Sequence, residues 1–334
     1  MKEALYWEGK ENKKVQCLLC PHDCVIGEGK IGICRVRKNT EGKLYSLTYN
    51  EFTSVALDPI EKKPLYHFYP ASEILSFGTV GCNFRCQFCQ NWEISQQDFE
   101  RATIRTITSD EAVRLAKNSD SVGIAYTYNE PLINYEWILE TAQLAQRYDL
   151  KNVLVTNGYL NEEPLENLLP YVDAANIDVK SFRNEFYRKI CAGSLDAVLR
   201  TVEIMVKRKK HVEITNLIIP TLNDSNEEIE DLTDWIYALN NEIPLHFSRY
   251  FPCYKMQIES TPLSTLERAR KIAFKKLKYV YLGNVWELEY NRTYCPNCKT
   301  VLIERRGYQT EILDLEGNIC RKCGEKINIL TQER

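Results

Sequence analysis

Cys82, Cys86 and Cys89 stand in the run Gly81-Cys82-Asn83-Phe84-Arg85-Cys86-Gln87-Phe88-Cys89. Thiolates at this C-x3-C-x2-C spacing can hold a [4Fe–4S] cube by three of its four irons, where the usual cluster has four cysteines. The remaining iron is then open to a substrate that chelates through amino and carboxylate groups. In such a site the cofactor carries the hard electron chemistry, and the protein supplies placement and exclusion of water. The competing reading is a loop of three ordinary cysteines or part of a zinc site.

The chain has 13 cysteines in 334 residues, and most fall into groups. Cys17, Cys20, Cys24 and Cys34 form one set, with His22 and Asp23 inside it as further candidate ligands. It reads either as a closed structural metal site or as an electron-relaying cluster. Cys295, Cys298, Cys320 and Cys323 form two C-x2-C pairs around a strand-rich segment, a ribbon-type arrangement. Spacing alone does not separate zinc from iron or an iron–sulfur centre at either terminal site. Cys191 reads as structural. Cys253 is a candidate hydrogen-atom donor or simply a buried thiol.

Net charge is −3, so bulk charge gives no reason to expect nucleic acid or an anionic membrane as partner. No apolar stretch is long enough to span a bilayer. Met1–Glu8 lacks a hydrophobic signal region. A cytoplasmic location follows as the expectation, where thiols stay reduced and grouped cysteines read as metal ligands rather than disulfides.

The elements that would position these groups show in the periodicity. Strand-like runs fall at 74–80, 122–127, 153–156, 174–179, 211–219, 244–250 and 278–282. Amphipathic stretches separate them, among them 134–148, with Ile138, Ala142 and Ala145 at helical spacing. Thr108-x-x-Glu111, Ser225-x-x-Glu228 and Ser264-x-x-Glu267 resemble capping boxes. Alternating strands and helices imply parallel pairing through right-handed crossovers. The expected fold is α/β: a partial (β/α)6 TIM-like barrel at 71–285. Small cysteine-bearing appendages are expected at 1–70 and 286–334. Asp58-Pro59-Ile60-Glu61-Lys62-Lys63-Pro64 reads as an extended loop.

Chemistry in such a barrel gathers at the C-terminal ends of the strands, where the signature cysteines fall. Polar residues cluster at the same ends: Tyr126-Thr127-Tyr128-Asn129-Glu130-Pro131, Thr156-Asn157-Gly158 and Asn176-Ile177-Asp178-Val179-Lys180. Alternation puts Asn176, Asp178 and Lys180 on one face. Charges pointing into a barrel are costly unless paired or ligand-bound. Arg249, Cys253 and Tyr254 fall near the end of a later strand.

Together these segments resemble the radical SAM superfamily, and within it the enzymes related to pyruvate formate-lyase activating enzyme. Cys20-Pro21-His22-Asp23-Cys24, Asp58 to His67, Cys89-Gln90-Asn91-Trp92 and the C-terminal cysteine pairs resemble its AmmeMemoRadiSam branch. The resemblance spans nearly the whole chain. It implies a [4Fe–4S] cluster on Cys82, Cys86 and Cys89, with S-adenosylmethionine (SAM) on the open iron, cleaved reductively to a 5′-deoxyadenosyl radical. Phe88 matches the aromatic residue before the last signature cysteine. Glu130 would receive the SAM ammonium, in a motif where Tyr128 and Asn129 replace the family's usual glycines. Thr156, Asn157, Asp178 and Lys180 would position the rest of SAM, and Tyr254 could stack on its nucleoside. The implied partners are a low-potential electron donor such as ferredoxin or flavodoxin, and Memo-like and AMMECR-like proteins.

The substrate is left open. Activases act on a glycine in a large partner enzyme, and some carry extra ferredoxin-like cysteines after the signature, whereas here the extra cysteines precede and follow the barrel. The alternatives are a nucleic-acid-modifying radical SAM enzyme, a metal-containing module that only binds a partner, or an electron carrier with several clusters. Arg305-Arg306 between the C-terminal cysteine pairs is the one local basic feature that favours nucleic acid.

Overall fold

The computed structural model describes residues 1–331; residues 332–334 of the expected C-terminal appendage lie outside the described residues. The main sheet has eight strands in linear order: β1 (Ser54–Pro59), β2 (Glu73–Gly78), β3 (Gly123–Tyr126), β4 (Lys151–Thr156), β5 (Ala174–Asp178), β6 (His211–Ile218), β7 (Leu245–Arg249) and β8 (Val280–Gly283). β2 to β8 are parallel, and β1 pairs antiparallel with β2 at one edge. The sheet is an open partial barrel. The seven parallel strands coincide with the seven expected runs to within two residues. The difference is at Asp58-Pro59, expected in a loop, which end the edge strand β1. Proline is tolerated there because an edge strand need not donate on its outer side.

Six helices of seven residues or more fill the crossovers: α1 (Ser109–Asn118), α2 (Tyr135–Gln146), α3 (Glu162–Leu168), α4 (Leu195–Lys207), α5 (Asn226–Leu239) and α6 (Leu263–Ala273). Thr108 and Ser225 accept from the N–H groups of Glu111 and Glu228, as a capping box requires. Ser264 does not cap. α6 starts at Leu263, two residues before the position a Ser264 cap would set, with Pro262 at the N-cap. Ile124, Leu154, Ile177, Ile214 and Leu245 are fully buried, since helices cover one face of the sheet and the barrel interior the other.

The N-terminal end of the barrel is closed by residues 60–69 and by the C-terminal appendage. Glu213, near the start of β6, accepts from the backbone N–H of Tyr66 and of His67. It also pairs with His211 and His246. His67 Nδ1 lies 2.8 Å from the Asn328 carbonyl, so that nitrogen carries the proton. His67 Nε2 then accepts from the Tyr281 hydroxyl at 2.7 Å. Arg305 is buried and donates to Asn291 O, Thr293 Oγ1 and Tyr66 O. Its guanidinium lies 4.1 Å from the Tyr66 ring centroid. Arg306 pairs with Glu304. Arg305 therefore docks the ribbon against Tyr66, while Arg306 stays exposed beside Glu304.

Candidate active site

The signature loop leaves the C-terminal end of β2 and is held on every side. Asn129 Oδ1 accepts from the Thr79 N–H, and Asn129 Nδ2 donates to the Gly81 carbonyl. Gly81 sits at φ +92°, and a Cβ there would lie 2.5 Å from the Cys34 carbonyl oxygen, so glycine is required. The N–H of Arg85 donates to the Cys191 carbonyl and that of Gln87 to the Ile190 carbonyl. These acceptors belong to a π-helical turn, Tyr187–Cys191, a distortion often found at functional sites.

Cys82, Cys86 and Cys89 emerge from successive bends of this loop, Cys86 buried and the other two half-buried. The Phe84 N–H donates to Cys82 Sγ at 3.3 Å, and Ser95 Oγ lies 3.1 Å from Cys89 Sγ. The thiol of Cys191 faces that of Cys86, which together with burial pushes the Cys86 thiol up. Burial raises the Cys82 and Cys89 thiols as well. Thiolates so placed call for a positive metal centre, and N–H and O–H donors to sulfur suit a bound cluster. The three-thiol loop fits a [4Fe–4S] group with one open iron.

Glu130 is buried beside this loop. Its Oε1 accepts from the Leu132 N–H and the Thr156 hydroxyl, and its Oε2 from the Asn157 N–H. Burial nevertheless pushes its carboxyl up to about 7. Asn157 Nδ2 in turn donates to Asn83 Oδ1 at 2.9 Å, and Asn83 Nδ2 to the Tyr159 carbonyl. The β3 and β4 tips and the signature loop are thereby one hydrogen-bonded unit. Tyr128 takes φ +74°, the left-handed backbone that glycine would adopt freely. Its hydroxyl donates to Asp58, and Lys63 Nζ lies 4.6 Å from its ring centroid. The tyrosine thus keeps a glycine-like backbone shape and turns its side chain away, toward β1.

Lys180 Nζ lies 3.0 Å from Asp178 Oδ2 and 5.9 Å from the Phe88 ring centroid. Phe88 itself is buried against Phe186. Asn176, expected on the same face as Asp178, is buried deeper, between Pro64 O and Thr215. Cys253 Sγ is 3.5 Å from the Cys89 carbonyl, and the Lys255 N–H donates to the Gln87 carbonyl. Tyr254 stacks on Trp92 with ring centroids 5.3 Å apart. Asn83, Ser95 and Cys191 enter the site without a signal in the sequence. Two lie inside or beside the signature as ordinary polar residues, and Cys191 is brought in by a π-turn that periodicity does not reveal.

The terminal cysteine sets differ in geometry. Cys295, Cys298, Cys320 and Cys323 bring their sulfurs within 4.8 Å of one another, with 3.6 Å for Cys295–Cys323 and 3.7 Å for Cys298–Cys320. A tetrahedral ion with metal–sulfur bonds near 2.3 Å sets sulfurs about 3.8 Å apart, so this set suits one zinc-like ion. Cys17, Cys20, Cys24 and Cys34 lie near one another around two small antiparallel sheets. Among the described residues, theirs is not a set that closes to the C-terminal spacing.

Residues 77–236 match the model of the radical SAM superfamily. An uncharacterized protein of Methanocaldococcus jannaschii is 45% identical over 335 residues, covering 99% of this chain and 100% of that protein. The pyruvate formate-lyase-activating enzyme of Streptococcus mutans is 25% identical over 170 residues, 48% of this chain and 65% of that enzyme. The (2S)-3-sulfopropanediol dehydratase activating enzyme of Klebsiella oxytoca is 25% identical over 34% of this chain and 36% of its own length. The crystal structure of Streptococcus suis SuiB bound to S-adenosylmethionine superposes with a TM-score of 0.50 at 14% identity, over 65% of this chain and 49% of that one. Residues 77–236 thus form a radical SAM domain, an open α/β barrel with three thiols after its first parallel strand. The M. jannaschii protein matches the whole length of the chain, whereas the activating enzymes match only part of it.

Proposed function

We propose that this chain is a radical SAM enzyme of the AmmeMemoRadiSam type that abstracts a hydrogen atom from a peptide or protein substrate. The observation that carries the reading is the continuous network Glu130–Thr156–Asn157–Asn83, which ties a buried carboxylate to the three-thiol loop. A [4Fe–4S] cluster with bound SAM supplies, on one-electron reduction, methionine and a 5′-deoxyadenosyl radical.

The residues divide the remaining work. Cys82, Cys86 and Cys89 hold the cluster. Glu130 and the Tyr128 backbone receive the SAM ammonium, a charge that favours a carboxylate acceptor. Lys180, oriented by Asp178, faces the SAM carboxylate. Thr156 and Asn157 fix Glu130, and Asn129 fixes the loop. Phe88 and Phe186 keep water from the buried side of the thiol loop. Cys253 and Tyr254 border the open side, where substrate would enter. A protein substrate rests on the activating-enzyme relatives, and Memo-like and AMMECR-like proteins rest on the family resemblance. A ferredoxin or flavodoxin would supply the electron.

Oxygen-free reconstitution followed by dithionite and SAM tests the reading. Formation of 5′-deoxyadenosine that is lost in Cys86→Ala supports it. An intact, reduced cluster that never yields 5′-deoxyadenosine, with or without candidate partner proteins, overturns it.

A further inference from the structure

The two terminal cysteine sets sit at opposite ends of the barrel. The C-terminal set belongs to the ribbon that packs against Tyr66, Tyr279 and Tyr281, beside Glu213 and His67 at the starts of the strands. The N-terminal set lies on the other end, against the signature loop. His22, between Cys20 and Cys24, points its Nε2 at the Asn83 carbonyl at 2.7 Å, and a carbonyl only accepts, so that nitrogen is the donor. Asn83 directly follows Cys82. The Cys34 carbonyl packs so closely on Gly81, directly before Cys82, that no Cβ fits between them. Arg85, inside the signature, donates to the Ile33 carbonyl at 2.6 Å. His22 therefore bridges to the signature loop through Nε2, which leaves the lone pair on Nδ1.

The N-terminal thiols are themselves arranged for a metal centre. Cys17 and Cys34 are buried, Cys20 and Cys24 half-buried. The Cys17 N–H donates to the Cys24 carbonyl and the Asp23 N–H to the Cys20 carbonyl, closing a tight knuckle. The thiols do not close to the spacing of a single tetrahedral ion, which the C-terminal set does reach. A cube spreads its thiolates because each binds a different iron.

We infer that Cys17, Cys20, Cys24 and Cys34 hold a second iron–sulfur cluster, and that this cluster delivers electrons to the signature loop through the His22–Asn83 bridge and the Cys34–Gly81 contact. The inference rests on the radical SAM reading for the electron's destination, but not for the cluster's existence. The step is a one-electron transfer. A donor protein of the ferredoxin or flavodoxin class loses one electron, and the N-terminal cluster goes from the 2+ to the 1+ state. It returns to 2+ as the signature cluster goes from 2+ to 1+. No bond is made or broken and no proton moves.

The experiment uses the full chain, reconstituted with iron and sulfide, in three forms: wild type, the signature variant C82A/C86A/C89A, and the N-terminal variant C20A/C24A. Iron, sulfide and zinc are counted per chain, and the reduced proteins are examined by EPR. The signature variant is expected to keep about four irons and four sulfides with a reduced-cluster signal. Zinc in that set, or no metal at all, overturns the cluster. Because the signature variant leaves the N-terminal region untouched, this result stands even if C20A/C24A fails to fold.

The relay is read by comparing electron sources. With dithionite, C20A/C24A is expected to form 5′-deoxyadenosine within about threefold of wild type. With reduced flavodoxin as sole donor, it is expected to fall at least tenfold. Equal rates with flavodoxin overturn the relay. Failure of the radical SAM reading shows separately: wild type then forms no 5′-deoxyadenosine with dithionite, while the iron count of the signature variant still decides the N-terminal site.

Discussion

Asn157 Nδ2 donates to Asn83 Oδ1 at 2.9 Å while the Asn157 backbone N–H donates to Glu130 Oε2 at 2.8 Å. One residue at the tip of β4 therefore sets the distance between the carboxylate and the thiol loop. Asn157→Ala removes the side-chain donor and leaves the buried Asn83 oxygen unpaired, at a cost of about 1–3 kcal/mol. SAM affinity of the reconstituted protein is expected to fall roughly 5- to 150-fold by that cost. The check is a SAM titration followed by EPR, with iron content measured alongside. An unchanged affinity at full iron content would show that the bridge positions nothing.

Glu130 gives SAM binding a defined pH dependence. Burial holds its carboxyl up to about 7 against the three hydrogen bonds that lower it. Below pH 7 the acid is mostly neutral and attracts an ammonium weakly, so binding must release a proton. The SAM dissociation constant should therefore fall up to about tenfold per pH unit from pH 5.5 to 7, then level off. Glu130→Gln should flatten the curve and weaken binding above pH 7. A slope that persists in the glutamine variant assigns the titration to another group.

The parallel strands were legible because buried β-branched runs separated by amphipathic helices have few other solutions. The polar tips of β3 and β4 were legible for the same reason: their side chains sit where strands end. What stayed hidden depended on pairing or on backbone shape. Tyr128 looks like a broken glycine motif until its left-handed φ is seen, with the ring carried off to Asp58 and Lys63. Arg305 looks like half of a basic patch until it is found buried over Tyr66. Ser264 has the capping spacing, but the helix already starts at Leu263, with Pro262 at the N-cap. Cys191 is distant in sequence and reaches Cys86 only through a π-turn.

The closed end of the barrel sets the acid limit of stability. Burial opposes ionisation of Glu213, but His211 and His246 overcome it and hold its carboxyl well below the usual range. Glu213 therefore adds stability that is fully present above about pH 4.5 and lost as pH falls below it. Burial lowers His67 to about 4, so His67 removes stability as pH falls from 6.5 to 4. Glu130, raised from 4.5 to about 7, acts oppositely and adds stability as pH falls from 7 to 4.5. Between pH 4.5 and 6.5 the last two offset each other. The expected result is a nearly flat melting temperature over that range, then a steep fall below pH 4.5. Glu213→Gln should cost about 3–5 kcal/mol at pH 7 in chemical denaturation, because it leaves buried donors unpaired. A loss under 1 kcal/mol would mean the histidines and backbone N–H groups find other acceptors.

The ribbon's position predicts that its metal supports folding without touching the chemistry. Cys295–Cys323 and Cys298–Cys320 lie at tetrahedral-ion spacing, on the end of the barrel opposite Cys82. About one zinc per chain is expected to survive in C82A/C86A/C89A. C298S/C323S should lose that zinc and melt several degrees lower, because Leu302, Ile303 and Leu315 then lose the knuckles that hold them against Tyr279 and Tyr281. Per folded molecule, its dithionite-driven 5′-deoxyadenosine formation should stay within about twofold of wild type. A larger loss at a temperature where circular dichroism shows the barrel intact would mean that the floor is coupled to the signature loop. The Glu213–Tyr66 contact and the Asn176–Pro64 hydrogen bond would then be the first elements to test as the route.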